Sequence, residues 1–157
     1  MPESIAAVLH GLAATVWVGG MFFAYLVLRP SLAALETDAR FLLWVAIFSR
    51  FFFWVWISVL LLLLSGYWLV FRSFGGFSTS PLYVHIMHLA GLFMFSLFAF
   101  LFVRPWSALK QCVQEKQWMS AGHALNVIRR IVLINLITGL VLISIVYAGR
   151  HGLLYGS

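Results

Sequence analysis

Charged residues are scarce in this chain, and acidic residues are the scarcest. Of 157 residues, only four are Asp or Glu and ten are Lys or Arg, so charged residues make up 9% of the sequence. A soluble domain carries about 25% charged residues. Hydrophobic residues, by contrast, make up 64% of the chain. A chain of this composition cannot cover its surface with polar groups in water, so it is predicted to be an integral membrane protein.

Cysteine and recognisable catalytic motifs are also nearly absent. Cys112 is the only cysteine, so no disulfide can form within the chain, and no zinc-finger spacing is present. The sequence contains no Ser-His-Asp triad, phosphate-binding loop or carboxylate pair, and no catalytic residue is predicted. The net charge of +6 does not indicate a nucleic-acid partner, because basic residues of membrane proteins collect in cytoplasmic loops.

Four apolar stretches are long enough to cross a bilayer as helices, which takes about 20 residues each. None shows the alternation of a strand, and a helix satisfies its own backbone hydrogen bonds in lipid. The sequence therefore predicts an all-α, four-helix transmembrane bundle that forms one domain over residues 1–157. The predicted helices cover residues 5–28, 51–71, 82–103 and 131–149, with residues 41–50 as an interfacial extension of the second helix.

The distribution of Lys and Arg predicts how the bundle sits in the membrane. Eight of these residues fall on one side of the four helices, and Arg72 and Arg150 fall on the other. Since basic loops stay in the cytoplasm, the side with eight is predicted to be cytoplasmic and both termini are predicted to lie outside. The opening residues, MPES, lack the basic region of a signal peptide, so the first helix is expected to be retained.

An internal repeat places two histidines in equivalent positions. FAYLVLRPSLAAL (residues 23–35) aligns with FAFLFVRPWSALK (residues 98–110) at an offset of 75, and each segment contains Arg-Pro. The same offset places His10 on His85. We predict two repeated helical hairpins, related by an axis along the membrane normal, with these histidines at matching depths. Chance similarity between two apolar helices is the alternative.

Histidines are concentrated on the predicted outer side. His88 lies one turn deeper than His85, and His151 follows the fourth helix. An ionisable residue at membrane depth usually faces the bundle interior, and imidazole ligates both metal ions and haem iron. The predicted metal ligands are therefore His10, His85 and His88, whereas His151 and the cytoplasmic His123 are weaker candidates. The alternative for each is a neutral histidine that hydrogen-bonds to a neighbouring helix.

Two further groups of residues stand out along the helices. Trp17 lies about two turns below His10 on a face of small residues, which either lets helices pack closely or leaves room for a flat cofactor. Trp17 is therefore a candidate cofactor contact. On the cytoplasmic side, Arg50, Arg129 and Arg130 are expected either to reach anionic lipid or to form a pocket for an acidic group. Methionine thioethers suit Cu(I), but no continuous row of Met follows one face.

Three segments resemble the CopD family of bacterial copper-resistance membrane proteins. They are LHGLAATVWVGGMFF in the first helix, YVHIMHLAGLFMFSLFAFLFVRPW in the third, and NVIRRIVLINLITGLV leading into the fourth. The resemblance implies copper uptake or handling in a bacterial inner membrane, copper as the metal, and a periplasmic metal or electron partner. Many members have more than four helices, so this chain is similar to a compact version of them.

A second resemblance is to the small four-helix haem-containing protoporphyrinogen oxidases, which also place a histidine early in the first helix, as His10 is here. It implies a membrane redox protein with a b-type haem held by His10 and either His85 or His88. The residues themselves leave three functions open. These are copper binding, haem binding, and a structural membrane subunit whose histidines only connect helices.

Overall fold

The computed structural model describes residues 3–150, in which all regular secondary structure is helical. His151, one of the two weaker candidate ligands, lies outside the described residues. The main helices are α1 (Glu3–Phe22), α2 (Arg29–Ser31), α3 (Thr37–Ser73), α4 (Leu82–Val103), α5 (Pro105–Gln114) and α6 (Trp118–Arg150). Three short segments complete the described chain, namely a π-helix over Phe23–Leu28 and 3-10 turns over Leu32–Ala34 and Phe77–Thr79.

Four helical spans in the described residues are long and apolar enough to cross a membrane, which confirms the predicted fold class. The spans are Glu3–Ala34, Thr37–Ser73, Leu82–Gln114 and Trp118–Gly149. In the bundle, α1 packs against α3 and α6, and α4 packs against α6. The helix α3 begins well before the predicted span, at Thr37, so residues 41–50 do extend the second helix.

The outer surface of the bundle is apolar, as a lipid environment requires. Large side chains such as Leu64, Leu89 and Val103 keep more than 60% of their surface exposed. In water this surface would make the fold insoluble, because contiguous apolar patches of such extent promote association. In a bilayer the same side chains contact lipid tails, so the four spans identify an integral membrane protein.

The two Arg-Pro pairs both coincide with changes of helix geometry. Pro30 lies in α2, directly after the π-helix, and Pro105 is the first residue of α5. Proline suits the first turn of a helix because its missing N–H has no partner there. The π-helix has no counterpart in α4, which stays α-helical up to Val103. The internal repeat therefore stays a prediction.

Aromatic side chains fill the half of the bundle beside α5. The Phe52 ring stacks on Phe48 with centroids 5.1 Å apart, and its centroid lies 5.3 Å from that of Trp106 and 5.6 Å from that of Phe98. Such pairs each contribute about 0.5–1.5 kcal/mol beyond the area they bury. Deeper along α6, the buried Asn135 donates from Nδ2 to the Met94 carbonyl at 3.1 Å and so connects α6 to α4.

The predicted orientation can be measured at the two loops that join the spans. A reporter active only outside the cytoplasm should be active when inserted at Gly76, between α3 and α4, because this end carries few basic residues. The same reporter inserted at Lys116, between α5 and α6, should be inactive. The reverse pattern would place the His10 end of the bundle in the cytoplasm and contradict the orientation.

Candidate functional site

A cavity of about 450 Å³ lies inside the bundle at the end opposite α5, between α1, α3, α4 and α6. Its walls are mostly apolar, and its polar lining residues include His10, Tyr67 and His88. A volume in the range of about 300–1,000 Å³ is typical of sites for small molecules and cofactors. The cavity is therefore the candidate functional site, and we refer to it as the histidine cavity.

The sequence of α1 places His10 in the histidine cavity, and α3 holds its ring. His10 Nδ1 lies 3.0 Å from Ser65 Oγ. The Ser65 hydroxyl donates its only proton to the Leu61 carbonyl, so its oxygen has to accept from His10. A neutral imidazole that donates through Nδ1 keeps a lone pair on Nε2, and that lone pair is the one a metal ion needs.

A glycine beside Ser65 lets the His10 ring approach α3. A Cβ atom at Gly66 would lie 3.1 Å from His10 Cε1 and 3.5 Å from its Nδ1. The first distance is tighter than ordinary van der Waals contact, so any larger residue at this position would displace the ring. Ser65 and Gly66 thus act together, because one orients the imidazole and the other makes room for it.

The loop before α4 brings an aromatic ring against His88. Gly75 and Gly76 have φ angles of 74° and 125°, which favour glycine, and they turn the chain after α3. The following 3-10 turn places the Phe77 ring 5.0 Å from the His88 ring, between centroids. The Tyr67 ring approaches His88 from α3, at 5.5 Å. His88 is therefore held between two aromatic rings at the cavity wall.

The structure brings two of the three predicted ligands to the same cavity. His10 and His88 both line it, and so does the predicted cofactor contact Trp17. His85 is not among the lining residues, and its ring lies 6.1 Å from that of Phe77. The exposed His123 lies near the start of α6, away from the cavity. Within residues 3–150, no group of three or more His, Cys, Asp or Glu side chains is arranged to hold a metal ion.

Two methionines extend the donor set of the cavity. Met87 and Met94, both on α4, line it, and the Met94 side chain is almost fully buried. Sequence reasoning missed these contacts because it sought a single helical face of Met, whereas a cavity collects side chains from several directions. It also missed Ser65 and Gly66, although a Ser-Gly pair directly after five consecutive leucines was a visible signal.

The comparison with protein families bears on most of the site. A family model described as CopD, copper resistance protein D, matches residues 45–148, about two thirds of the chain. The matched range includes Ser65 and His88, whereas His10 and Trp17 precede it. No match was found among curated proteins or among solved structures. The match covers well over half of the chain, and the chain therefore belongs to the CopD family of copper-resistance membrane proteins.

Proposed function

We propose that this chain binds copper in the histidine cavity through His10 and His88 and handles the ion at a bacterial inner membrane. The observation that carries the proposal is that two histidines 78 positions apart, on α1 and α4, line one cavity. Ionisable side chains at membrane depth are retained where they serve a function. Membership of the CopD family supplies the expectation of copper.

The donor chemistry of the cavity fits copper. Imidazole nitrogens and thioether sulfurs are ligands that Cu(I) accepts. Among residues 3–150, the cavity lining includes two residues of each kind, His10 and His88 with Met87 and Met94. In the described part of the chain, no carboxylate lines its walls; a carboxylate would favour harder cations such as Mg²⁺ or Ca²⁺. His85, one turn before His88 on α4, is included in the proposal as an additional ligand beside the cavity.

A second candidate function is the binding of a b-type haem, and the size of the cavity favours it. A space of about 450 Å³ is far larger than one metal ion needs and is within the range of cofactor sites. His10 and His88 would then hold the haem iron, and Trp17 would line the space around the haem. Bound haem would supply one-electron redox chemistry, and the protein would need an electron partner.

One experiment on the purified protein distinguishes these functions. The full chain is solubilised in detergent, reconstituted separately with Cu(I) and with haem, desalted, and measured for copper content and optical absorption. About one copper per chain without a Soret band supports the copper proposal, whereas a Soret band supports haem. If neither copper nor haem is retained, the histidines only connect helices. His10 already connects α1 to α3 through its hydrogen bond to Ser65.

Removing the Ser65 hydroxyl should weaken copper binding without abolishing it. Ser65→Ala leaves His10 Nδ1 without its side-chain acceptor, so the ring can turn away from its binding orientation. Groups that orient a metal ligand are worth about 10–100-fold in affinity, and a loss of about tenfold is expected here. A competition titration against a Cu(I) chelator measures it. Ser96→Ala is the control, because that hydroxyl bonds only within α4, and an equal loss in both variants would contradict the role of Ser65.

A further inference from the structure

A small cleft lies near the opposite end of the bundle, where the continuation of α1 meets α3 and α6. Its polar lining residues are Tyr25, Arg29, Trp44 and Arg129, and we refer to it as the arginine cleft. Tyr25 belongs to the π-helix Phe23–Leu28, and Arg29 follows it directly. Single-turn π-helices occur frequently at functional sites, because they redirect the side chains of one turn.

Two hydrogen-bond donors at the arginine cleft are buried without a partner in residues 3–150. Trp44 is only 1% exposed, and its indole Nε1–H has no acceptor. The Nε–H of Arg129 is likewise buried and unpaired, while its Nη1 makes a long contact of 3.4 Å to Asn126 Oδ1. An unsatisfied buried donor costs about 1–3 kcal/mol, and more when it is charged, so both groups require an acceptor.

The charged side chains that line the cleft in the described residues, Arg29 and Arg129, are both positive. Arg29 and Arg40 both act on Arg129 as like charges. The guanidiniums of Arg29 and Arg129 lie over the rings of Tyr25 and Trp44, at 5.1 and 5.5 Å from the ring centroids. Within the described residues, no ion pair with a carboxylate compensates them. A ligand for this cleft therefore has to accept hydrogen bonds and carry negative charge.

We infer that the arginine cleft binds the phosphate group of an anionic lipid headgroup. The cleft itself offers only about 10 Å³, which is room for roughly one oxygen atom. One phosphate oxygen enters and accepts from Trp44 Nε1–H and Arg129 Nε–H, while the remaining oxygens stay outside, beside the exposed Arg29. A net negative headgroup is preferred, because the choline of a zwitterionic lipid would meet like charge at Arg29 and Arg40.

The test compares two lipids on the detergent-solubilised full chain by native mass spectrometry. We expect one phosphatidylglycerol to be retained per chain, with about tenfold preference over phosphatidylcholine. Trp44→Phe changes no charge but removes one donor, so it should lower phosphatidylglycerol retention about threefold or more. Arg129→Lys keeps the charge but removes Nε–H, and should lower it about fivefold or more. Equal retention of the two lipids, or no loss in Trp44→Phe, would overturn the inference.

Two control variants separate the cleft from general attraction to anionic lipid. Arg130→Lys changes the exposed neighbour of Arg129, and Trp106→Phe changes another buried tryptophan, so both should retain phosphatidylglycerol within about twofold of the parent. Circular dichroism and a thermal transition establish that each variant is folded. If Trp106→Phe loses as much lipid as Trp44→Phe, the loss reflects core packing and the inference is wrong.

A competition experiment with inorganic phosphate distinguishes a lipid phosphate group from a free phosphate ion as the ligand of the cleft. Millimolar phosphate should leave the bound lipid in place, because the lipid tails add contacts along the apolar surface that a free ion lacks. If phosphate instead displaces the lipid and its own binding weakens in Trp44→Phe, the ligand is a soluble phosphate and the lipid assignment is overturned. The site is remote from the histidine cavity, so either result is independent of copper binding.

Discussion

Replacing either histidine of the cavity should remove most of the bound copper. His10→Ala takes away the imidazole that α1 contributes, and His88→Ala takes away the one from α4. Loss of a supporting group costs about 10–100-fold in metal affinity, so loss of a ligand itself should cost more than about 100-fold. His85→Ala should have a smaller effect, because this side chain does not line the cavity. Competition against a Cu(I) chelator of known affinity measures all three variants.

The exposed His123 provides the matched control for these variants. It is distant from the cavity, so His123→Ala should bind copper as the parent does. Helical content by circular dichroism should be unchanged in every variant, because a single helix-connecting hydrogen bond in a membrane contributes only about 0.6–2 kcal/mol. Copper binding that survives in His10→Ala and His88→Ala together would show that the metal is held elsewhere.

The membrane-spanning helices were the part of the fold most accessible to prediction. Apolar stretches of about 20 residues identify spans, because in lipid each backbone polar group has to be satisfied within the segment. The same argument cannot locate the π-helix Phe23–Leu28, since its residues are as apolar as those of a regular helix. The extension of the second helix over residues 41–50 was predicted, but the start of α3 at Thr37 was not, because three of the four residues 37–40 (TDAR) are polar or charged.

The pairing of histidines shows where sequence reasoning about the site reached its limit. The repeat placed His10 and His85 at equal depth, whereas the cavity brings His10 together with His88. Residues three apart on a helix lie on adjoining faces, so a modest rotation of α4 about its axis exchanges one histidine for the other. Such a rotation cannot be deduced from hydrophobic periodicity, because α4 is apolar on nearly every face and presents no single inward stripe.

The arginines show the same limit at the other end of the bundle. The placement of charges in the sequence grouped Arg129 with Arg50 and Arg130, because all three lie near the predicted cytoplasmic surface. In the structure the Arg50 and Arg130 side chains are exposed. The arginine that shares a cleft with Arg129 is Arg29, which comes from α2 and is separated from it by 100 positions. Counting charges predicts the side of the membrane, whereas the geometry of the π-helix and of α6 determines which guanidiniums meet.

Close packing beneath the histidine cavity should make Gly139 intolerant of even one added methyl group. A Cβ atom there would lie 2.8 Å from Val18 Cγ2 and 3.3 Å from Met94 Cε, where α1, α4 and α6 meet. Val18 is β-branched and buried, so it cannot rotate away freely. Overpacking of a core typically costs about 1–3 kcal/mol, and Gly139→Ala should lower the free energy of unfolding by this amount relative to a matched variant.

Gly91→Ala is that matched variant. Gly91 also lies within a transmembrane helix and lines the same cavity, but a Cβ atom there would meet nothing within 4 Å. Both substitutions share the gain of about 1 kcal/mol that alanine brings to a helix, so the difference between them isolates the clash. Unfolding in detergent, followed by circular dichroism against increasing denaturant, gives that difference. Equal stability of the two variants would mean that α1 and α4 move apart easily to accept the added methyl group. The packing around Gly139 would then not be rigid enough to fix the positions of the cavity's ligands.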